Sequence, residues 1–286
     1  MARPALSAAR GLDIIDLLAA APERGLTLSE IMRASGINVA SCHAVLGVLV
    51  ERGYLVRDAA AKTYALGPVA FAAGQAALTA QPLLAHAEAA ARALVAELHI
   101  PAMMSAAVGD EIVGIAAVAA PDGQAPLLRP GERRPRVPPI GAPFVAWSGE
   151  PAIAAWLAGA PDPAMRPALR GAVEAIRDRG FEVLLLTPEP SGGGPSGIAS
   201  QLLAMAEPGL HRLGPDMALP DRIKEQALYP ATMIAAPVFD RHGACAFNLC
   251  LGPFAEPLSG GTILTLAERL LAACVQAMRA DRARQA

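Results

Sequence analysis

A chain of 286 residues is long enough for two domains with sizeable cores; 53% of it is hydrophobic but only 4% aromatic, alanine making up much of the difference. The formal net charge of −2 carries no whole-chain signature of nucleic-acid binding, and with lysine only at Lys62 and Lys224 the basic charge is nearly all arginine. The four cysteines, Cys42, Cys245, Cys250 and Cys274, form no C-x-x-C pair and read as reduced thiols of a cytoplasmic protein.

Arg10, Asp13 and Asp16 interrupt any apolar leader, so no secretory signal is expected. Ser7 to Ala21 reads as an amphipathic helix with Leu12, Ile15, Leu18 and Ala19 on one side, closed by Pro22 and Gly25. Leu28 to Ala34 has apolar residues at helical spacing. Gly36 ends that helix, since it has no Cβ to forbid positive φ, and Asn38 follows as an N-cap. The next helix runs from Val39 to Arg52, with Val45, Leu46, Leu49 and Val50 as its buried stripe. Tyr54–Arg57 and Lys62–Leu66 are short strands about a turn at Asp58–Ala61. Two helices across a tight turn, then a hairpin, are the plan of a winged helix-turn-helix.

The winged domain is expected to span residues 1–67, followed by a linker helix at 68–82 and a second domain at 83–286. Leu83–Leu98 is helical. Ala102–Val108 and Ile112–Ala119 are strands about a Gly109-Asp110 turn, and Asp110 and Glu111 break the rather apolar stretch Ile100–Ala120, so a membrane span is not expected there. Pro121–Pro139 is a loop. Gly141–Trp147, Pro151–Ala158 and Met165–Gly180 are helical, and Phe181–Leu186 is a strand. Ser191–Gly197 reads as a loop, and Ile198–Met205 and Asp221–Leu228 as helices. Met233–Phe239 and Cys245–Leu251 form a second hairpin, and Thr262–Arg282 closes the chain as a helix striped by Ile263, Leu266, Leu270, Cys274 and Met278. The class is therefore α+β, an antiparallel sheet packed with helices behind a winged helix-turn-helix.

Six stretches in this order resemble the IclR family of bacterial transcription regulators. They are Ala9–Ile15; Leu26–Ile37; L-V-E-R-G-Y-L at Leu49–Leu55; Y-A-L-G at Tyr64–Gly67; I-R-D-R-G-F at Ile176–Phe181; and A-A-P-V-F-D at Ala235–Asp240 with Gly243. The resemblance covers nearly the whole chain. It implies a GAF-like effector domain, a homodimer or dimer of dimers, a double-stranded DNA operator as partner, and no catalytic residue or cofactor.

The exposed first turns of the third winged-domain helix carry Asn38, Ser41, Cys42 and His43, and Asn, Ser and His side chains read base edges or phosphates. Family members usually add a Lys before this point and an Arg after the His, where this chain has Val39 and Ala44. From Met1 to Gly67 the bases are Arg3, Arg10, Arg24, Arg33, Arg52, Arg57 and Lys62, against Asp13, Asp16, Glu23, Glu30, Glu51 and Asp58, so the domain is barely basic. Arg57, Lys62 and Thr63 on the wing, Arg10 on the first helix and Ser29 on the second are further DNA contacts to weigh against ordinary solvated positions.

The resemblance places an effector cup at Pro139, Ile140, Gly141, Leu184, Met233, Leu249 and Leu251. The family's polar ligand-holding groups are mostly leucine here. This implies a small-molecule effector that is hydrophobic, such as an aromatic or acyl acid, or a cup filled by side chains. Arg129, Arg133, Arg134 and Arg136 precede the cup and would attract an anion. His242 with Cys245, and His211 with Asp216, have no four-ligand metal spacing. There is no Walker loop, G-x-G-x-x-G, G-x-S-x-G or H-E-x-x-H, so no enzyme is expected. The expected function is a ligand-responsive, DNA-binding transcriptional regulator. The alternative is a sensor or scaffold that has lost tight DNA binding and acts through protein partners.

Overall fold

The computed structural model describes residues 5–21, 24–186 and 217–285. The chain divides into two units, Met1–Pro82 with Arg129–Glu132, and Leu83–Leu128 with Arg133–Ala286.

The first unit runs α1 (Leu6–Ala19), β1 (Leu26–Thr27), α2 (Leu28–Ser35), α3 (Val39–Glu51), β2 (Leu55–Asp58), β3 (Thr63–Leu66) and α4 (Pro68–Ala80). A capping box starts α2: Thr27 Oγ1 accepts from the Glu30 backbone N–H at 3.3 Å, and the Glu30 carboxylate accepts from the Thr27 N–H at 2.8 Å. Gly36 closes α2 at φ +67°, and Asn38 Oδ1 accepts from the Ser41 N–H at 2.9 Å to cap α3. Ile14, Leu18, Ile31, Cys42, Leu46 and Leu55 are fully buried and form the core of this unit.

Two phases differ from the sequence expectation. Leu12 is 62% exposed, and Ile14 fills the place expected for it. Ile14 and Leu18 are one turn apart, whereas Leu12 lies about 200° round the helix from Ile14. In α3 the deepest line is Cys42 and Leu46, also one turn apart, with Val45, Leu49 and Val50 at the margins. The two-residue β1 carries no periodicity of its own; it is a strand because Leu26 and Thr27 pair with Tyr64 and Thr63, giving a three-stranded sheet β1-β3-β2. No residue of α4 is buried.

The second unit begins with α5 (Pro82–Leu98), β4 (Ala102–Val108), β5 (Glu111–Val118) and β6 (Arg133–Pro135). There follow α6 (Ala142–Ala146), α7 (Glu150–Ala158), a 3-10 turn at Pro163–Met165, α8 (Arg166–Arg179) and β7 (Glu182–Leu186). The remainder is β8 (Met217–Ala218), β9 (Leu228–Tyr229), β10 (Ala231–Phe239), β11 (Cys245–Leu251), β12 (Leu258–Ser259) and α9 (Gly260–Gln285). Seven strands form one sheet in the order β6-β5-β4-β11-β10-β7-β8, antiparallel at every pairing. Both faces carry clusters of buried apolar side chains. Ala87, Leu94, Ile263, Leu270 and Cys274 of α5 and α9 cover one face, meeting Val183, Ile234, Leu249 and Leu251. The other face carries Met103, Ile112, Ala235 and Cys250, with Phe144 of α6 and Leu128 packed over them.

Asp221–Leu228, expected as a helix, is turn leading into β9, whose Leu228 and Tyr229 pair with Ser259 and Leu258. Arg133–Pro135, expected as loop, is an edge strand on β5. The expected Ser191–Gly197 loop, the expected Ile198–Met205 helix and the His211–Asp216 pair lie outside the described residues. Among the described residues one helix, Gly260–Ala283, is long and apolar enough to cross a membrane. It is also the helix whose Ile263, Ala267, Leu270 and Cys274 are buried against the sheet.

Candidate functional site

In the first unit the candidate DNA-contacting residues gather at the start of α3 and at the hairpin tip. His43 is exposed one turn past the cap, beside exposed Val39, Ala40 and Ala44. Asn38 is exposed, and its side-chain oxygen is engaged by the Ser41 N–H, which leaves its amide N–H groups to reach outward. Ser41 is half-buried, and its Oγ accepts from Arg10 Nη1 at 3.3 Å, across 31 residues of chain. The cation that Val39 and Ala44 do not provide is thus brought to α3 by α1. Ser29 is exposed in the first turn of α2, while the cap itself is Thr27.

On the hairpin, Asp58 Oδ1 accepts from the Ala60 and Ala61 N–H groups at 2.8 and 2.9 Å, and Lys62 takes φ +56° to complete the tip. Lys62 is exposed and Thr63 half-buried. The Arg57 guanidinium lies 5.9 Å from the centre of the Tyr64 ring, which orients it on the strand. Gly67 closes the hairpin where there is no room for a side chain: a Cβ there would lie 2.4 Å from the Gly53 carbonyl oxygen, and the Gly67 N–H donates to Tyr54 O at 2.7 Å.

The second unit holds an open-mouthed pocket on the sheet face away from α5 and α9, about 720 Å³ when the solvent space at its mouth is included. Its floor is made by Met103 and Ser105 of β4, Asn248 and Cys250 of β11, Met233 of β10, and Glu182 and Leu184 of β7. Its cover is Leu127, Leu128, Ile140, Gly141 and Phe144, with Arg134 of β6 and Ile112 of β5 at one side. The cover segment is held by the Trp156 Nε1–H, which donates to Ile140 O at 2.9 Å. Gly141, at φ +87°, starts α6 where a Cβ would meet Arg136 Cγ at 2.6 Å.

Of the residues expected to form the cup, Ile140, Gly141, Leu184 and Met233 line the cavity. Leu249 and Leu251 do not: they sit on the opposite face of the sheet, paired with Met104 and Ala102 and packed in the helix-covered core. Successive strand residues point to opposite faces, so reading β11 one residue out of phase exchanges its two sides. The cavity side of β11 is Asn248 and Cys250. Pro139 is buried beside the cover and is not among the lining residues. Three polar lining residues, Ser105, Glu182 and Asn248, were missed by the sequence reading, although each stands in the sequence as a lone polar residue in an apolar strand.

Among the arginines before the cup, Arg133 pairs with Glu111 at 3.0 Å, and Arg136 donates to Gly109 O at 3.0 Å. Only Arg134 of the four reaches the cavity lining, and its burial pulls its pKa down. Glu182 is 1% exposed, and its Oε1 has no hydrogen-bond partner among the described residues. Burial raises its carboxyl from 4.5 to about 8, against a smaller opposing pull from the Arg179 guanidinium. Arg179 Nε donates to Phe181 O at 2.8 Å and its Nη1 to Pro220 O at 2.9 Å, while Gly180 ends α8 at φ +85°. The I-R-D-R-G-F stretch is therefore the corner that delivers Glu182 to the cavity. Cys250 is buried beside it, its thiol pushed well above 9.0 by desolvation and by the Glu182 charge, so it stays protonated.

Among the described residues no group of three or more His, Cys, Asp or Glu is placed to hold a metal ion. Arg241 Nε donates to His242 Nε2 at 3.0 Å, and the Cys245 thiol points to Phe247 O and Asn248 Oδ1, each at 3.4 Å.

A model of the IclR helix-turn-helix domain matches residues 7–59. No curated protein matches the chain. Among solved structures, an IclR transcriptional regulator from Alicyclobacillus acidocaldarius aligns with a TM-score of 0.69 at 18% identity, over 97% of this chain and 99% of that one. An IclR homolog from Microbacterium hydrocarbonoxydans, solved in complex with 4-hydroxybenzoate, gives 0.64 at 15% identity over 97% and 99%. Pseudomonas aeruginosa HmgR gives 0.60 at 24% identity over 96% and 97%. Residues 7–59 are an IclR-type helix-turn-helix domain, and the chain as a whole has the fold of the IclR-family regulators.

Proposed function

We propose that this protein is a cytoplasmic, DNA-binding transcriptional regulator, controlled by a small molecule that occupies the cavity above β11. The observation that carries the reading is the first turn of α3. A capped helix start presents Asn38 and His43 to solvent, with the Arg10 guanidinium bonded to Ser41 beside them. His43 and Asn38 read base edges; Arg10, Arg57 and Lys62 neutralise phosphates, with Ser29 and Thr63 as flanking polar contacts. A dimer would place two such helices on successive major grooves of an operator. The similar structure solved with 4-hydroxybenzoate supports the effector reading, because a protein of the same fold was captured with a small aromatic molecule. Control is a population shift: the effector favours one arrangement of the assembly and so changes operator affinity.

The test is binding of the purified protein to its own upstream DNA across a salt series, with His43→Ala and Arg57→Ala alongside. His43→Ala is expected to relax specificity. Arg57→Ala is expected to weaken all sequences alike and lower the salt slope by about one. Absence of any sequence-specific binding at low salt would sink the regulator.

One observation favours a second reading, a sensor that acts through protein partners. The seven bases of the winged domain face six acids, and no cation stands at Val39 or Ala44. A protein whose non-specific DNA affinity is already negligible at low salt would fit that reading instead.

A further inference from the structure

The cavity is apolar over most of its wall, yet the Glu182 carboxyl on its floor has one oxygen, Oε1, with no hydrogen-bond partner among the described residues. Glu182 pairs across the sheet with Ala235, which pairs with Cys250. On that row the small Ala235 leaves space between the carboxyl and the thiol. One step along the same face, Asn248 stands opposite Ser105. An unpartnered buried acceptor is costly, and a ligand that brings a donor to it relieves that cost.

We propose that the cavity takes a ligand bearing a protonated amine on a compact apolar body, with the amine seated on the Glu182 carboxylate. This rests on the reading of the cavity as the effector site and names its ligand class. A charge-assisted bond to a cationic nitrogen is the strongest partner available to a buried carboxylate. A ligand carboxylate aimed at this floor would meet a second carboxyl. Among the described residues the lining cation is Arg134, on the edge strand β6, with β5, β4, β11 and β10 between it and β7.

The charged and titratable groups around Glu182 are few. Arg179 approaches from the end of α8; its Nε and Nη1 are held by Phe181 O and Pro220 O, and its buried Nη2 has no hydrogen-bond partner among the described residues and makes none to Glu182. Cys250 on β11 is a protonated thiol, as are Cys245 on the same strand and Cys274 on α9, both pushed up to about 12 by desolvation. Asp221 acts on Arg179 rather than on the cavity. In the empty cavity Glu182 holds its proton at neutral pH; when the ammonium arrives the carboxyl ionises and one proton leaves to solvent. Binding therefore strengthens as pH rises.

The experiment uses the full chain and three probes of matched shape: 2-phenylethylamine, 2-phenylethanol and 3-phenylpropanoate. Binding is read by calorimetry, in wild type, Glu182→Gln and the rim variant Ile140→Trp. The amine is expected to bind best, to gain about tenfold in affinity between about pH 7 and about pH 8.5, and to release a proton. Glu182→Gln is expected to lose the amine by at least about tenfold while keeping its fold, as shown by a cooperative melt near neutral pH at a temperature no lower than that of wild type. Equal amine binding in Glu182→Gln, a preference for 3-phenylpropanoate, or no binding of any probe overturns the proposal. If the carboxylate wins in wild type and Ile140→Trp abolishes it, only the amine assignment falls. If Ile140→Trp changes no probe's binding, the cavity itself is not the ligand site. Operator binding by the same ligand-free preparation tests the regulator reading separately.

Discussion

Arg10 Nη1 donates to Ser41 Oγ at 3.3 Å, tying the first helix of the winged domain to the exposed start of α3. The contact fixes a positive charge beside a helix whose own exposed turn carries none. It also leaves the Ser41 hydroxyl proton free to point outward. Arg10→Ala is expected to weaken operator binding across all sequences and to lower the salt slope by about one, the signature of one lost phosphate neutralisation. Ser41→Ala should cost less and leave the slope unchanged. Fluorescence anisotropy over a salt series separates the two. A specificity change without a slope change in Arg10→Ala would contradict the assignment.

Gly67 is constrained by space. Its φ of −98° suits any residue, but a Cβ would press to 2.4 Å from Gly53 O and 3.0 Å from the Leu55 carbonyl carbon. Both neighbours are backbone and have little room to move. Gly67→Ala is expected to destabilise the winged unit by about 1–3 kcal/mol, read by urea denaturation.

Leu249 belongs to the helix-covered core. Leu249→Ala should cost about 2–5 kcal/mol of stability, and leave ligand affinity nearly unchanged in whatever fraction remains folded. Asn248→Ala, on the neighbouring residue but the opposite face, should do the reverse. Chemical denaturation and ligand titration of the two variants form one paired test.

Glu30 gives the winged unit an acid-sensitive joint. Backbone and side-chain bonds from Thr27, with Arg24 at 2.7 Å, hold its carboxyl down from 4.5 to about 2. The folded chain binds this proton more weakly than the unfolded chain does. The stabilisation is therefore complete above pH 4.5 and is lost as pH falls to about 2. Glu30→Gln should flatten that part of the stability profile.

Glu182 works in the other direction. Its folded carboxyl holds a proton up to about pH 8, while the unfolded one releases it near 4.5. Stability from this group is full below 4.5 and is lost as pH rises to about 8. The loss is on the order of a few kcal/mol, and Glu182→Gln should abolish it. Thermal melts of the two proteins at mildly acid and mildly alkaline pH make the comparison.

The winged unit was legible because its signals are local. Gly36 and Asn38 act within one turn of chain, and the hairpin is closed by Asp58 on its own backbone. The cavity was harder to read, because strand phase is decided by partners far away in sequence. Nothing in Phe247–Leu251 alone states which side meets α9. The lone polar residues were the available clue: Asn248 in that strand and Glu182 at the head of E-V-L-L-L face the cavity, while their apolar neighbours face the helices. The Arg10–Ser41 bond spans 31 residues, which no spacing rule reaches. Leu12 misled because it is apolar and at a plausible spacing, yet Ile14 was the residue in line with Leu18.

The central strands β10 and β11 serve two masters on alternate residues. Every second side chain answers to the packed helices, and those between answer to whatever fills the cavity. A change of ligand in such a sheet can be reached by point substitutions at the even positions of β11 with the odd ones untouched. A single inserted residue cannot achieve it, since it would drive Asn248 into the dry core and turn the leucines onto the ligand. Specificity in this fold is free to drift by substitution and is locked against insertion.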